Sequence, residues 1–437
     1  MKHFRIDDMH LGFFVGDFEP TVFRTNAVEM AIKQIAKGTL DGGYYREIDT
    51  EIINVLSGEV ECNGEHFQKG DILLFTQGEM ISIFALEDSN VLISKLPGTK
   101  GDVKKAKWDD YNSFDAYYSS YLAKLKTLMK NGGIDDAPLI NDTARHIDNS
   151  DISVVVQGYA DDSTSYLLNS IRKYLPGSTI ILSTWDYCEV SKLDYDTLVI
   201  SDDPGAVPCE IWSNFDRGNN GNRQIVSTKS ALNKVETKYV LKLRSDLVLL
   251  GDGFKDYLYL LAGRDNDHSV FSERIVIGEL FSRHDFVYHR NGKEYDVPKP
   301  FHPSDWFAFG LTEDVKKLYG NVNIIPDNEI QYDKLVHQDY VEKYDYKYSW
   351  RYTTEQHILL EALKDKMPRD MFRDWTDWNE ENIEYSRKIM LNNFVFLDMA
   401  RSDILNMKYI TASFANNGLR HPEKKLYIFE ELKNGTF

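Results

Sequence analysis

Ile152-Ser153-Val154-Val155-Val156-Gln157-Gly158 is the stretch that decides the fold of the larger part of this chain. It is a β-branched, apolar run without polar alternation, the pattern of a strand covered on both faces in a parallel sheet. Residues 164–174 follow with Leu167, Leu168 and Ile171 on one helical face and Thr164 as a cap. Pro176-Gly177 then breaks the chain before a second apolar run, Thr179-Ile180-Ile181-Leu182-Ser183. Leu198-Val199-Ile200-Ser201 is a third, residues 222–233 read as a helix, and Tyr239-Val240-Leu241-Lys242-Leu243 is a fourth. Strands and helices alternating at this spacing predict right-handed crossovers and a mostly parallel, Rossmann-like α/β sheet. Ligands of such sheets bind beyond the carboxyl ends of the strands.

Those ends carry Gln157-Gly158, Trp185-Asp186, Asp202-Asp203 and Arg244-Ser245-Asp246. Turns are polar anyway, which accounts for one or two of these but less well for Trp185 and for Arg244-Ser245-Asp246. Gly158 lets a ligand approach the backbone, and Gln157 offers both a donor and an acceptor. Asp246, directly after a buried strand, suits a hard ion such as Mg²⁺ or Mn²⁺ that also touches phosphate. Arg223, a planar fork, and Lys229, a point charge, are placed to reach a diphosphate together; solvated surface cations are the alternative.

Outward toward the N-terminus the pattern changes. Glu51 to Leu56, Glu59 to Cys62, Ile72 to Phe75, Ile81 to Phe84 and Asn90 to Ser94 are short strand patterns separated by Ser57-Gly58, Asn63-Gly64, Gly70-Asp71 and Gln77-Gly78. This spacing predicts a small all-β barrel, with residues 27–35 as a short helix ahead of it. Residues 114–129 have helical spacing and end at Asn131-Gly132-Gly133. Residues 134–150 read as a connector. The expected organisation is a barrel over 1–100, a helical linker over 101–150, the α/β domain over 151–365 and a helical extension over 366–437.

Lys+Arg 51 against Asp+Glu 69 leaves a net charge of −18, which argues against nucleic acid as a partner. Three scattered cysteines, Cys62, Cys188 and Cys209, make neither a disulfide framework nor a zinc site. With no apolar run long enough to span a bilayer and an N-terminus unlike a signal peptide, the expected location is cytoplasmic.

The barrel region resembles the cupin superfamily over about residues 40–95. Glu51 and Gly58 keep the spacing of the first cupin motif, and Gly70-Asp71 with Gly78 that of the second. The histidine positions fall on Tyr44, Tyr45, Arg46 or Glu47 and on Ile81, and Thr76 replaces a proline. Only Glu51 remains of the ligand set, so the resemblance implies a cupin fold without cupin metal chemistry, and a homodimer contact through this domain is among its implied roles.

Residues 151 to about 360 resemble the bacterial WavE lipopolysaccharide-synthesis family. The motifs are Ile152 to Gly158, Leu168 to Tyr174, Ile181 to Trp185, Asp202-Asp203-Pro204-Gly205, Asn222 to Lys229 and Lys242 to Asp246. The resemblance implies a GT-A-like glycosyltransferase fold in which Arg244-Ser245-Asp246 stands where the Asp-x-Asp motif would be. Its first aspartate is Arg244, so either Asp246 holds Mn²⁺ or Mg²⁺ alone or Arg244 partly replaces the ion. It further implies Asp305 and Trp306 near the sugar, and Asp305 or Glu355 as general base. Structural roles stand beside these: a turn before a helix for the first pair, and a helix-start carboxylate for Glu355. His284, His289 and His302 are further candidate metal ligands. The implied partners are a nucleotide-sugar donor and a glycan or lipid-linked glycan acceptor of capsule or lipopolysaccharide, with peripheral contact at the inner membrane. Alcohol-phosphate or nucleotidyl transfer, or a non-catalytic sensor, are the alternatives.

Overall fold

The computed structural model describes residues 2–132, 146–210, 216–261, 263–290, 293–346, 348–367 and 370–408, with positions 410, 429 and 432. Most of the connector expected at 134–150 and of the tail after 408 lies outside these. The chain divides into two compact units, built on Met1–Asp135 and Asp136–Lys408.

The first unit is two five-stranded antiparallel sheets. One runs in the order Phe13–Val15, Glu29–Ile35, Ser89–Leu96, Thr50–Ser57, Ile72–Phe75; the other runs Val103–Lys105, Leu40–Arg46, Ile81–Ala85, Glu59–Cys62, Glu65–Gln68. Ile35, Ile53, Val55, Val60, Leu73, Ile81, Ile83 and Val91 form its core; burial alternates along Thr50–Ser57 and Ser89–Leu96, whereas Ile81–Ala85 is buried throughout. Asn63 (φ 52°) and Gly64 (φ 87°) make the hairpin turn the sequence called for. Glu29–Ile35 is a strand rather than the expected helix, because its buried positions alternate and seven residues pair in register with Ser89–Leu96. Residues 101–132 are not a free linker. The helix Tyr111–Asn131, capped by Asp110, buries Phe114, Tyr118, Tyr121, Leu122 and Leu125. It is tied to the second sheet by Tyr121 to Ser82 (2.5 Å) and by Lys124 to Glu61 (2.7 Å).

The second unit holds a seven-stranded sheet in the order Thr197–Ser201, Thr179–Trp185, Ile152–Gln157, Tyr239–Arg244, Phe307–Leu311, Ile275–Gly278, Phe394–Leu397. The first four are mutually parallel; Phe307–Leu311 is antiparallel to both of its neighbours, and the last two are parallel to each other. The strand order reverses between Ile152–Gln157 and Tyr239–Arg244, whose ends Gln157 and Arg244 are register partners. That is where a crevice opens in such sheets. Thr164–Tyr174 and Gly221–Leu232 are helices, as their patterns predict. The expected helical extension is corrected in part: Glu380–Asn393 is a helix, but Phe394–Leu397, an unbroken apolar run, is a fully buried edge strand of the same sheet.

Candidate functional site

Three elements of the second unit converge beyond the Tyr239–Arg244 strand. The strands Arg283–Arg290 and Lys293–His302 form an antiparallel pair that brings Arg283 opposite His302. Phe281 (φ 70°) and Phe301 (φ 59°), which precede them by two residues and one, both adopt left-handed backbone, a costly state for a bulky residue. Pro303-Ser304-Asp305-Trp306 then leads into Phe307–Leu311, which returns along Tyr239–Arg244. The Arg244 amide bonds the Trp306 carbonyl (3.3 Å), and the buried Lys242 ammonium donates to the Asp305 carbonyl. Asp305 is thereby held at the sheet's edge.

Glu355 comes from the first turn of the helix Thr354–Leu363. That helix starts where it does because Thr353 and Gln356 form a reciprocal capping box (3.2 and 3.0 Å). Gln356 Nε2 also donates to the Pro300 carbonyl (2.8 Å), which fastens the helix start to the Lys293–His302 strand. The result is that His302 Nε2 lies 3.6 Å from Glu355 Oε2. His302 Nδ1 faces the Phe281 carbonyl at 3.1 Å. A carbonyl only accepts, so Nδ1 carries the proton and Nε2 presents its lone pair toward Glu355.

The electrostatics join these parts. Burial, with Arg283 and Lys299 adding repulsion, pushes His302 well below the usual histidine range, so it is neutral at pH 7. Burial brings Lys242 down to about 8 against the attraction of Asp305, and Lys299 down to about 7 with Arg283 adding to the effect. Burial also raises the Tyr319 phenol, and Asp305 and Glu355 both add to the rise. The two carboxylates therefore share one locality with Lys242, Arg283, Lys299, His302 and Tyr319.

The strand ends where the strand order reverses hold a second group. Gly158 has φ +119°, and a Cβ there would lie 3.2 Å from Ser245 Oγ, so both its conformation and the close approach call for glycine. Arg244 grips Asp246 with Nε (3.1 Å) and Nη2 (2.5 Å), one to each carboxylate oxygen, and lies over the Trp306 ring at 6.0 Å. Among the described residues no three His, Cys, Asp or Glu side chains come together as metal ligands. With both oxygens of Asp246 engaged by Arg244, the donor set does not fit Mn²⁺ or Mg²⁺.

The other expected residues are placed elsewhere. Gln157 is buried and accepts from Ser227 Oγ (2.8 Å), so it packs the Gly221–Leu232 helix on the sheet. Trp185 is 1% exposed and is a core residue, not a stacking surface. Asp202 is exposed. Asp203 is held by Arg223 Nε (2.7 Å) and Nη2 (2.6 Å) and by the Tyr187 hydroxyl (2.7 Å). Hydrogen bonding to Arg223 keeps the Asp203 carboxyl far below the ordinary range. Lys229 donates to the Val322 carbonyl (3.2 Å). Arg223 and Lys229 are thus not a pair: six residues apart on a helix they face different neighbours. Trp306 is buried, edge-on to Phe281 (5.2 Å).

Sequence reasoning passed over Lys242, Lys299 and Arg283 as site residues. Lys242 carried a signal, a lysine inside an apolar strand; Arg283 and Lys299 sit in runs without periodicity.

In the first unit, Glu51 is fully buried and Arg46 supplies its cation, with Nε and Nη2 at 2.8 and 2.7 Å from Oε2; the Tyr44 hydroxyl donates to Oε1 (3.2 Å). This cluster lines a cavity of about 640 Å³ together with Lys33, Asp41 and Lys95.

The family model described as WavE lipopolysaccharide synthesis matches residues 152–421 of the chain. No curated protein matches it. Among solved structures, KdgF from a Halomonas species is 26% identical over 17% of this chain and 72% of its own, with a TM-score of 0.16. An uncharacterized double-stranded β-helix protein from Klebsiella pneumoniae is 20% identical over 24% of this chain and 93% of its own, with a TM-score of 0.20. An RmlC-like cupin protein from Desulfovibrio desulfuricans is 18% identical over 17% and 74%, with a TM-score of 0.15. No helix among the described residues is long and apolar enough to cross a membrane.

Proposed function

We propose, because the chain belongs to the WavE lipopolysaccharide-synthesis family and gathers Asp305 and Glu355 at one edge of its parallel sheet, that its second unit is a glycosyltransferase. It moves a sugar from a nucleotide-sugar donor to a hydroxyl of a bacterial surface polysaccharide, capsule or lipopolysaccharide. The observation that carries this reading is the partly exposed Glu355, with 23% of its side chain accessible, beside a neutral, tautomer-fixed His302. In transfer the anomeric C–O bond to the diphosphate breaks, the acceptor oxygen bonds the anomeric carbon, and the hydroxyl proton leaves. Glu355 takes that proton. His302 Nε2 offers no proton to Glu355, so the carboxylate stays a free acceptor. Asp305, fixed through its own carbonyl by Lys242, orients sugar hydroxyls. The crevice at Gly158 and Arg244 receives the nucleotide. No step is assigned to a divalent ion, since Arg244 engages Asp246.

Incubating the purified chain with a panel of nucleotide sugars and cell-surface polysaccharide tests this. The expected products are nucleoside diphosphate and an acceptor heavier by one sugar. A product that retains phosphate would reassign the chain to alcohol-phosphate or nucleotidyl transfer, and no donor turnover with any acceptor overturns the reading.

A further inference from the structure

The Arg283 guanidinium lies between two rings, 4.7 Å from the Phe281 centroid and 5.1 Å from that of Phe286. Its neighbours Glu355, Asp305 and Tyr346 act on it through space only, and among the described residues it donates no hydrogen bond. Every other cation of this locality is engaged. Lys242 donates to the Asp305 carbonyl, Lys299 donates to the Tyr346 hydroxyl (3.4 Å), and Arg244 holds Asp246. Arg283, Lys242 and Lys299 act on the carboxylates of Asp305 and Glu355 from the same locality. A planar fork of five donors beside two aromatic rings, with no side-chain or backbone acceptor among the described residues, suits a planar or tetrahedral oxyanion. The side chain is only partly buried and none of its nitrogens is a buried donor without a partner, so an anion can reach the fork from solvent. The backbone of Phe281 is held in a left-handed conformation two residues away, so strain maintains the ring beneath the fork.

We propose that Arg283 is the anion-binding residue of the second unit and takes a phosphate or diphosphate group, in place of the Arg223 and Lys229 pair. The inference rests on the transferase reading for its setting but not for its test. Two sources share this chemistry: the diphosphate of a nucleotide donor and a phosphate on the acceptor.

Calorimetric titration of the full chain with pyrophosphate, with uridine and guanosine diphosphates, and with glucose 6-phosphate decides the matter. Wild type is expected to bind pyrophosphate, and Arg283→Met to raise its Kd by about tenfold or more, the scale of a lost charge-assisted bond. Arg283→Lys keeps the charge, guards against a folding artefact, and is expected to lose several-fold. Arg223→Met, which removes the partner of Asp203, is expected to stay within about twofold. A nucleotide arm tighter than pyrophosphate identifies the donor as the source, and a tighter sugar-phosphate arm identifies the acceptor. Thermal unfolding without ligand supplies a second readout: a merely structural Arg283 would make Arg283→Met less stable, whereas a partly exposed cation that serves ligand binding leaves the midpoint unchanged. Unchanged pyrophosphate affinity in both Arg283 variants, or no binding by wild type, overturns the proposal. Anion binding through Arg283 without any sugar transfer would sink the transferase reading and leave this site standing; transfer with wild-type donor and acceptor affinity in Arg283→Met would do the reverse.

Discussion

Arg46→Met isolates the cost of the ion pair inside the first unit. In the structure Arg46 and Glu51 expose only 5% and 0% of their side chains, and Arg46 gives Glu51 its two shortest contacts, both to Oε2. Methionine fills much the same volume and removes the cation. What remains for the carboxylate is the Tyr44 hydroxyl at 3.2 Å. A buried carboxylate with one neutral donor takes up a proton instead. Keeping a carboxyl of ordinary pKa near 4.3 protonated at pH 7 costs about 2.7 pH units at about 1.36 kcal/mol each, roughly 3.7 kcal/mol. That falls in the range of about 3–5 kcal/mol for removing one partner of a buried pair. The sign follows from proton linkage: the variant's folded state binds a proton that its unfolded state has lost above about pH 4.3, so its stability rises as pH falls. The deficit should shrink by about 1.36 kcal/mol per pH unit and nearly vanish near pH 4.5. Arg46→Met with Glu51→Leu removes both charges and should come within about 1 kcal/mol of wild type. Peptide-resolved hydrogen exchange over Thr50–Ser57 in the full chain reads this unit without interference from the other. A single variant as stable as wild type at pH 7, or a double variant as unstable as the single, would refute the reasoning.

Three further outcomes are expected. Glu355→Gln keeps the helix start, because Thr353 and Gln356 make the capping box, and should lower single-turnover transfer by about 10²–10⁴-fold with donor affinity unchanged; an unaltered rate removes Glu355 as the base. Asp246→Asn should lower transfer by about 10²-fold with the circular dichroism spectrum intact, while a chelator leaves the wild-type rate unchanged; full turnover in the variant would show that the Arg244 pair has no catalytic task. Lys299 titrates near 7 when folded and near 10.5 when unfolded, so between these values the unfolded chain binds more protons and stability rises with pH. Lys299→Met should flatten that rise between pH 7 and 9, measured by exchange over the Lys293–His302 strand, and equal slopes in both proteins would contradict it.

The parallel strands were legible because burial on both faces leaves a direct trace in composition: Ile152–Gln157 and Thr179–Trp185 are largely apolar runs without polar alternation. The hairpin at Asn63-Gly64 was legible because its turn needs positive φ at both positions. Glu29–Ile35 was misread as a helix because seven residues with an alternating core, Ala31 and Ile35 among them, also place apolar side chains four apart. Asp246 was named from its place after a buried strand, whereas Asp305 and Glu355 were named from the family resemblance, with a turn and a helix start as their structural alternatives. Arg223 and Lys229 were misjudged because an acidic neighbour twenty residues upstream, Asp203, claims the first, and sequence distance hides that contact. Arg283 was invisible for a related reason: what marks it is the acceptor it lacks and the rings that clamp it, and neither is local in sequence.

The two arginine–carboxylate pairs bear on function in opposite ways. Glu51 and Asp246 stand at positions where the families that the two regions resemble carry metal ligands, and in each case an arginine a few residues earlier, Arg46 or Arg244, grips the carboxylate. A guanidinium satisfies the charge of one carboxylate with fixed geometry but cannot polarise an open coordination position. Burial separates their consequences. Arg46 and Glu51 are closed off, at 5% and 0% side-chain exposure, and a group so desolvated cannot change partners without leaving an unpaired charge behind. Arg244 and Asp246 stay 24% and 30% exposed at the mouth of the strand-end crevice, where water can compensate Asp246 when Arg244 turns away. Arg244 is therefore able to exchange partners where Arg46 is not. The same residue chemistry is a fixed cross-link in the first unit and an exchangeable cation in the second.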